Sequence, residues 1–147
     1  MTINFKKVLT GGLVAGIVLI VANVLATVVL GNRVQEDMNA WIPASGDRTA
    51  PSGFAIGAGI IFKLIIGTML VWLYAAIRPR FGLGPRTALY AAIAVWILGA
   101  IFFSDYLIIG MMSLATYTTV EVVQLVSFLL AGLAGARIYT EESPSAD

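Results

Sequence analysis

The chain has 147 residues, of which 59% are hydrophobic and 12% charged, with a net charge of +1; its mean hydropathy is +0.93. A soluble domain carries about twice that share of charge, and the apolar residues here fall in runs long enough to cross a bilayer. With no histidine and no cysteine, the chain cannot itself ligate haem, zinc or an iron–sulfur cluster through those residues. Imidazole proton relays, disulfides and thiol redox chemistry are excluded for the same reason, so no cofactor is predicted. The near-neutral charge lacks the concentrated basic face that a nucleic-acid partner requires.

The first apolar run spans 8–30, broken only by Thr10, Asn23 and Thr27. Lys6 and Lys7 precede it, and Val24-Leu25-Ala26 resembles a cleavage site, but 23 residues exceed the about 7–15 of a signal-peptide core. A retained helix is expected. The outer loop, 31–52, follows. Within it Val34, Met38 and Trp41 recur at i, i+4 and i+7, predicting a short helix on the membrane surface. Pro43, Gly46 and Pro51 then break that pattern. The second span covers 53–77 and contains Lys63.

The segment Arg78-Pro79-Arg80-Phe81-Gly82-Leu83-Gly84-Pro85-Arg86 reads as a tight cationic turn. A third span, 87–108, has Asp105 near its end, and a fourth, 113–137, contains Glu121. The short uncharged link around Gly110 makes these two a hairpin. The acidic tail, 140–147, is expected to be disordered. The reading is thus all-α: a polytopic membrane protein built as one four-transmembrane-helix bundle over 1–147. Four crossings put Lys6, Lys7, Arg78, Arg80, Arg86 and Arg137 on one side, against Arg33 and Arg48 on the other. The positive-inside rule then places both termini in the cytoplasm.

Polar groups inside the spans carry the functional signal, because a charge at the bilayer centre costs roughly 2.5–3.5 kcal/mol on insertion scales. At about 1.5 Å per residue, Lys63 lies roughly 14 Å, Glu121 roughly 12 Å and Asn23 roughly 10 Å below the outer boundary. Tyr117, Glu121 and Gln124 share one face of the fourth span at i, i+4 and i+7. The expectation is an intramembrane cluster of Asn23, Lys63, Tyr117, Glu121 and Gln124, with Lys63 and Glu121 forming an ion pair. Its alternative has Lys63 snorkelling outward and Glu121 facing a partner or water. Metal ligation is not predicted.

Small residues recur at four-residue spacing, including Gly12 and Gly16, and Ser127, Ala131 and Gly135. Such residues let helix backbones approach closely in lipid. Contact within the chain is the simpler reading, and Gly12 and Gly16 are the first choice for a face between copies. Arg78, Arg80 and Arg86 are positioned to meet anionic lipid headgroups, although topology anchoring explains them as well. Trp96, mid-span, reads as packing. Gly11-Gly12-Leu13-Val14-Ala15-Gly16 is discarded as a nucleotide loop, because no strand precedes it.

The stretch Val71-Trp72-Leu73-Tyr74-Ala75-Ala76-Ile77-Arg78-Pro79-Arg80-Phe81-Gly82, continuing to Gly84-Pro85-Arg86-Thr87-Ala88, resembles a group of small, uncharacterised four-helix bacterial inner-membrane proteins. The opening Gly11 to Gly16 with Asn23, and Glu121 with Ala134-Gly135-Ala136, are similar too. The resemblance implies a multi-pass inner-membrane protein and carries over no catalytic residue. Members of that group have an acidic residue soon after the position of Asn23, where this chain reads Val24-Leu25-Ala26-Thr27.

Three classes of function remain. The first is a non-enzymatic accessory or scaffold subunit, in a homo-oligomer or a larger membrane complex. The second is a small oligomeric transporter or channel using the Lys63 and Glu121 cluster in the outer half of the bilayer. The third is a lipid- or quinone-binding protein. The bilayer itself is the one partner common to all three.

Overall fold

The computed structural model describes residues 3–31, 33–41 and 52–139. The breaks at Pro43, Gly46 and Pro51 and the acidic tail lie outside the described residues. Five helices occur among the described residues: α1 (Phe5–Leu30), α2 (Arg33–Trp41), α3 (Gly53–Phe81), α4 (Pro85–Ile108) and α5 (Leu114–Ile138). All but α2 are long and apolar enough to cross a membrane, and no strand occurs among the described residues. The protein is an all-α, multi-pass membrane bundle.

Local chemistry sets the helix ends. Side chains of Asn4, Ser52 and Ser113 accept hydrogen bonds from the amides of Lys7, Ala55 and Thr116, at 3.0, 3.2 and 3.2 Å. Each thereby caps a donor that its helix leaves unsatisfied. Pro85 opens α4, where its missing N–H costs nothing.

The boundary after the second span differs from the sequence reading. Helix α3 continues through Pro79 to Phe81, leaving a connection of only Gly82, Leu83 and Gly84 instead of a loop over 78–86. Pro79 sits in the last turn and, having no N–H, removes one helical hydrogen bond, the one to the Ala75 carbonyl. Gly82, at φ 85°, adopts the left-handed conformation that ends the helix, and its amide donates to the Arg78 carbonyl at 2.9 Å. Thr87 Oγ1 then donates to the Gly82 carbonyl at 2.7 Å and stitches α4 to the turn.

Helix α1 packs between α3 and α5, and α4 packs against both α5 and α3. The contacts run through the small residues. Gly12 and Gly16 meet Thr68 and Leu64 of α3, and Gly67 of α3 sits directly on the backbone of Gly12 and Gly16. The face suggested for self-association is therefore filled within the chain. Gly11 faces Gly135 of α5, while Gly132 of α5 faces Ala88 and Ala92 of α4. Ser127, Ala131 and Gly135 are all buried along α5, as their spacing suggests. Lipid tails are as apolar as leucine, so close backbone approach supplies the contact that water would otherwise drive. Leu13, Ile17, Val21 and their counterparts face outward, as a lipid-facing surface requires.

The two ends of the bundle differ. At the end carrying the described termini, Arg78 lies over the rings of Tyr74 and Tyr139, 6.0 and 5.4 Å from their centroids. Those two rings meet edge to face at 6.0 Å, and the Asn4 amide donates to the Tyr139 hydroxyl at 3.4 Å. At the α2 end the helices spread. A Cβ added at Gly53, Gly57 or Gly59 would meet nothing within 4 Å, and Val28 and Val29 stand exposed on α1.

Candidate functional site

The spreading leaves two adjoining cavities between the helices. The deeper one, about 190 Å³, is lined by Leu19 of α1, Lys63 and Ile66 of α3, Trp96, Gly99, Ala100 and Phe103 of α4, and Glu121, Gln124 and Phe128 of α5. The second, about 290 Å³, opens toward α2 between the outer part of α1 and α5. Asn23, Thr27, Arg33, Thr119, Gln124 and Ser127 supply its polar wall. Phe103 and Gln124 belong to both cavities and form the partition between them.

Lys63 and Glu121 therefore line one cavity, as their matched depths suggest, yet no ion pair joins them. Glu121 is only 9% exposed, and its Oε2 is buried without a hydrogen-bond partner. Lys63 is half-buried. A buried polar atom left unmatched costs about 1–3 kcal/mol, more when charged, so the Glu121 carboxyl is held here at a cost to stability.

The neighbours expected to satisfy the carboxylate are engaged elsewhere. Tyr117 donates its hydroxyl to the Ala100 carbonyl of α4 at 3.2 Å, and its ring stacks on Phe103. It braces α4 against α5 and does not bond Glu121. Asn23 lines the cleft toward α2, which meets the deeper cavity at Phe103 and Gln124. Of the cluster read from the sequence, Lys63 and Glu121 line the deeper cavity, Asn23 the outer cleft and Gln124 both, while Tyr117 lines neither.

Sequence reasoning missed three contributors. Trp96 is more than packing: its Nε1 donates to the Glu121 carbonyl at 3.2 Å, tying α4 to the turn that presents the carboxylate. A mid-span indole N–H without a partner in its own helix was the available signal. Thr27, Thr119 and Ser127 supply hydroxyls to the outer cleft. They bond back to backbone carbonyls in their own helices, as hydroxyls in apolar helices do.

Asp37 is the third, and it closes the geometry at the α2 end. Its Oδ2 accepts from the amide of Ser113, the N-cap of α5, at 2.8 Å, so that a residue of α2 caps the neighbouring helix. The Ser113 amide, helped by the hydroxyls of Thr116 and Ser113 and by Arg33, holds the Asp37 carboxyl below its ordinary range against the opposing effect of burial. Arg33 and Val34 of the same helix line the outer cleft, so this hydrogen bond also fixes the rim of the cavity.

The cationic residues divide. Arg78 is half-buried against the tyrosine rings, whereas Arg80 and Arg86 are exposed at the end of the bundle, where a lipid headgroup would lie. No group of three or more acidic, histidine or cysteine residues that could hold a metal ion occurs among the described residues. Compared with protein-family models, curated proteins and solved structures, the chain matches none of them. The cavities themselves are what bears on its function.

Proposed function

We propose that this chain is a membrane-embedded, non-enzymatic binding subunit that takes a small polar solute into the cavity lined by Lys63 and Glu121. One bundle of this size has little room for a full pathway, so the proposal includes assembly of several copies into a carrier or channel. The observation that carries it is Glu121, nine-tenths buried with its Oε2 unmatched, lining the same cavity as Lys63 without pairing to it. A purely structural staple would place the two charges in contact, since ion pairing is what makes buried charge tolerable. The outer cleft, with Asn23 and Gln124 in its wall, supplies an aqueous approach from the α2 end. Cytoplasmic termini belong to the same proposal and draw on the cation distribution, while a bacterial inner membrane draws on the resemblance carried by Val71 to Ala88.

A second reading, an accessory or scaffold subunit of a larger complex, draws on the exposed outer parts of α1 and α3. There Val28, Val29 and Phe54 have no neighbours in the bundle to cover them.

Cysteine accessibility separates the two readings, and a chain with no native cysteine needs no prior substitution. A membrane-impermeant maleimide added on the α2 side is expected to label Gln124→Cys and to spare Val122→Cys, whose side chain faces lipid. If both are spared in correctly inserted protein, the cavity is not reached by water and the solute-binding proposal fails. The scaffold reading would then lead.

A further inference from the structure

Resting on the solute-binding reading, we infer that the ligand of the deeper cavity is a compact zwitterion, carrying one cationic and one anionic group. The argument begins with charge balance. Glu121 and Lys63 stand on the walls of one cavity, from α5 and α3, with no ion pair between them and with Glu121 Oε2 buried and unmatched. In a low-dielectric interior an uncompensated charge is costly, so the ligand that lowers the free energy most presents an ammonium-type group to Glu121 and a carboxylate-type group to Lys63. A singly charged ligand would satisfy one wall and leave the other exposed to the apolar interior. An uncharged polar ligand could hydrogen-bond both side chains but would neutralise neither.

The surroundings fit the same class. The aromatic rings of Trp96, Phe103 and Phe128 line the cavity beside Glu121, and such rings attract a cationic group within about 6 Å. A volume of about 190 Å³ falls below the about 300–1,000 Å³ of sites for drug-sized ligands and a little above the about 150 Å³ that holds benzene, which restricts the solute to roughly ten non-hydrogen atoms or fewer. Gln124, shared with the outer cleft, carries both donor and acceptor groups and can meet either end of a zwitterion as it passes. A zwitterion also enters without net charge, so the site adds no uncompensated charge to the bilayer.

The test measures protection of Gln124→Cys, in the full chain in proteoliposomes, from the impermeant maleimide. The zwitterions are glycine, alanine, γ-aminobutyrate and glycine betaine, which differ in charge separation and bulk. The single-charge comparisons are acetate, propionate and ethylamine. At ten times its dissociation constant a bound ligand lowers labelling about tenfold. At least one zwitterion is expected to do so while its single-charge analogues at equal concentration change the rate by less than about twofold. Adding Glu121→Gln to the reporter is expected to abolish that protection. Because Gln124 itself lines the site, Trp96 fluorescence of a chain with Gln124 intact and the other two tryptophans replaced (Trp41→Phe, Trp72→Phe) provides a second readout, with the same ranking of ligands expected.

Equal protection by zwitterions and single-charge analogues, or no zwitterion effect in either readout while Gln124→Cys still labels, overturns the zwitterion assignment and leaves the aqueous cavity standing. Failure of Gln124→Cys to label removes both proposals together.

Discussion

The close approach of α1 to α3 makes a sharp prediction about Gly67. A Cβ built there would collide with the Gly16 amide nitrogen and lie 2.5 Å from the Gly12 carbonyl oxygen and 2.7 Å from Gly16 Cα. All three are backbone atoms, so no side chain can swing aside, and α1 must retreat from α3 by roughly 1 Å. A gap of that size forfeits a quarter to a half of the dispersion attraction of the atoms affected, and overpacking of this kind costs about 1–3 kcal/mol. The better helix propensity of alanine offsets at most about 1 kcal/mol. Gly67→Ala should therefore be about 1–3 kcal/mol less stable than the same substitution at an open site on this helix, where the propensity gain is equal.

Gly57→Ala is the matched control on the same helix, because a Cβ there meets nothing within 4 Å. It should be neutral, or more stable by up to about 1 kcal/mol. The same atoms are exchanged in both variants, so the difference between them isolates interhelix packing. Thermal unfolding in detergent, followed by size-exclusion chromatography with fluorescence detection, reads that difference directly. Equal stability of the two variants would falsify the α1–α3 packing described above, and with it the location of Gly12 and Gly16 inside the chain.

Two further outcomes follow from the site. Glu121→Met removes an unmatched buried carboxyl at similar side-chain length, so the fold should be retained or gain about 1–3 kcal/mol in thermal unfolding. A loss of about 3–5 kcal/mol would instead identify a broken structural ion pair. Asp37→Ala should free the Ser113 amide and raise its hydrogen–deuterium exchange about fivefold, the effect of a hydrogen bond worth about 1 kcal/mol; unchanged exchange there would refute the link from α2 to α5. Acid should act in the same direction in the unaltered chain. The folded-state carboxyl titrates below its ordinary value, so its contribution is fully present above the unfolded value of about 3.9. That contribution is lost as the pH falls through the lower folded value.

Four membrane helices were legible in the sequence because hydropathy and length are one-dimensional properties. A run of apolar residues must satisfy its own backbone in lipid, whatever surrounds it. The caps at Asn4, Ser52 and Ser113 are local in the same sense, each closing within three residues. The short helix carrying Val34, Met38 and Trp41 was visible for the same reason. Depth along each span also follows from counting residues, which is why spacing along the chain alone assigns Lys63 and Glu121 to one level of the bilayer.

Rotation of each helix about its own axis, and the choice of neighbour, were decided only in the tertiary structure. Gly12 and Gly16 announce a close contact but not with whom; their partner Gly67 belongs to no four-residue repeat and gains its meaning only when α3 lies against α1. Tyr117 shares a helix face with Glu121, yet its hydroxyl reaches Ala100 across the α4–α5 contact. Asp37 reaches over 76 positions to cap α5. Whether two membrane charges at one depth touch depends on angles and distances of a few ångströms between separate helices, which no spacing along the chain encodes. That missing contact is what turns a predicted ion pair into a cavity with an unmatched carboxyl.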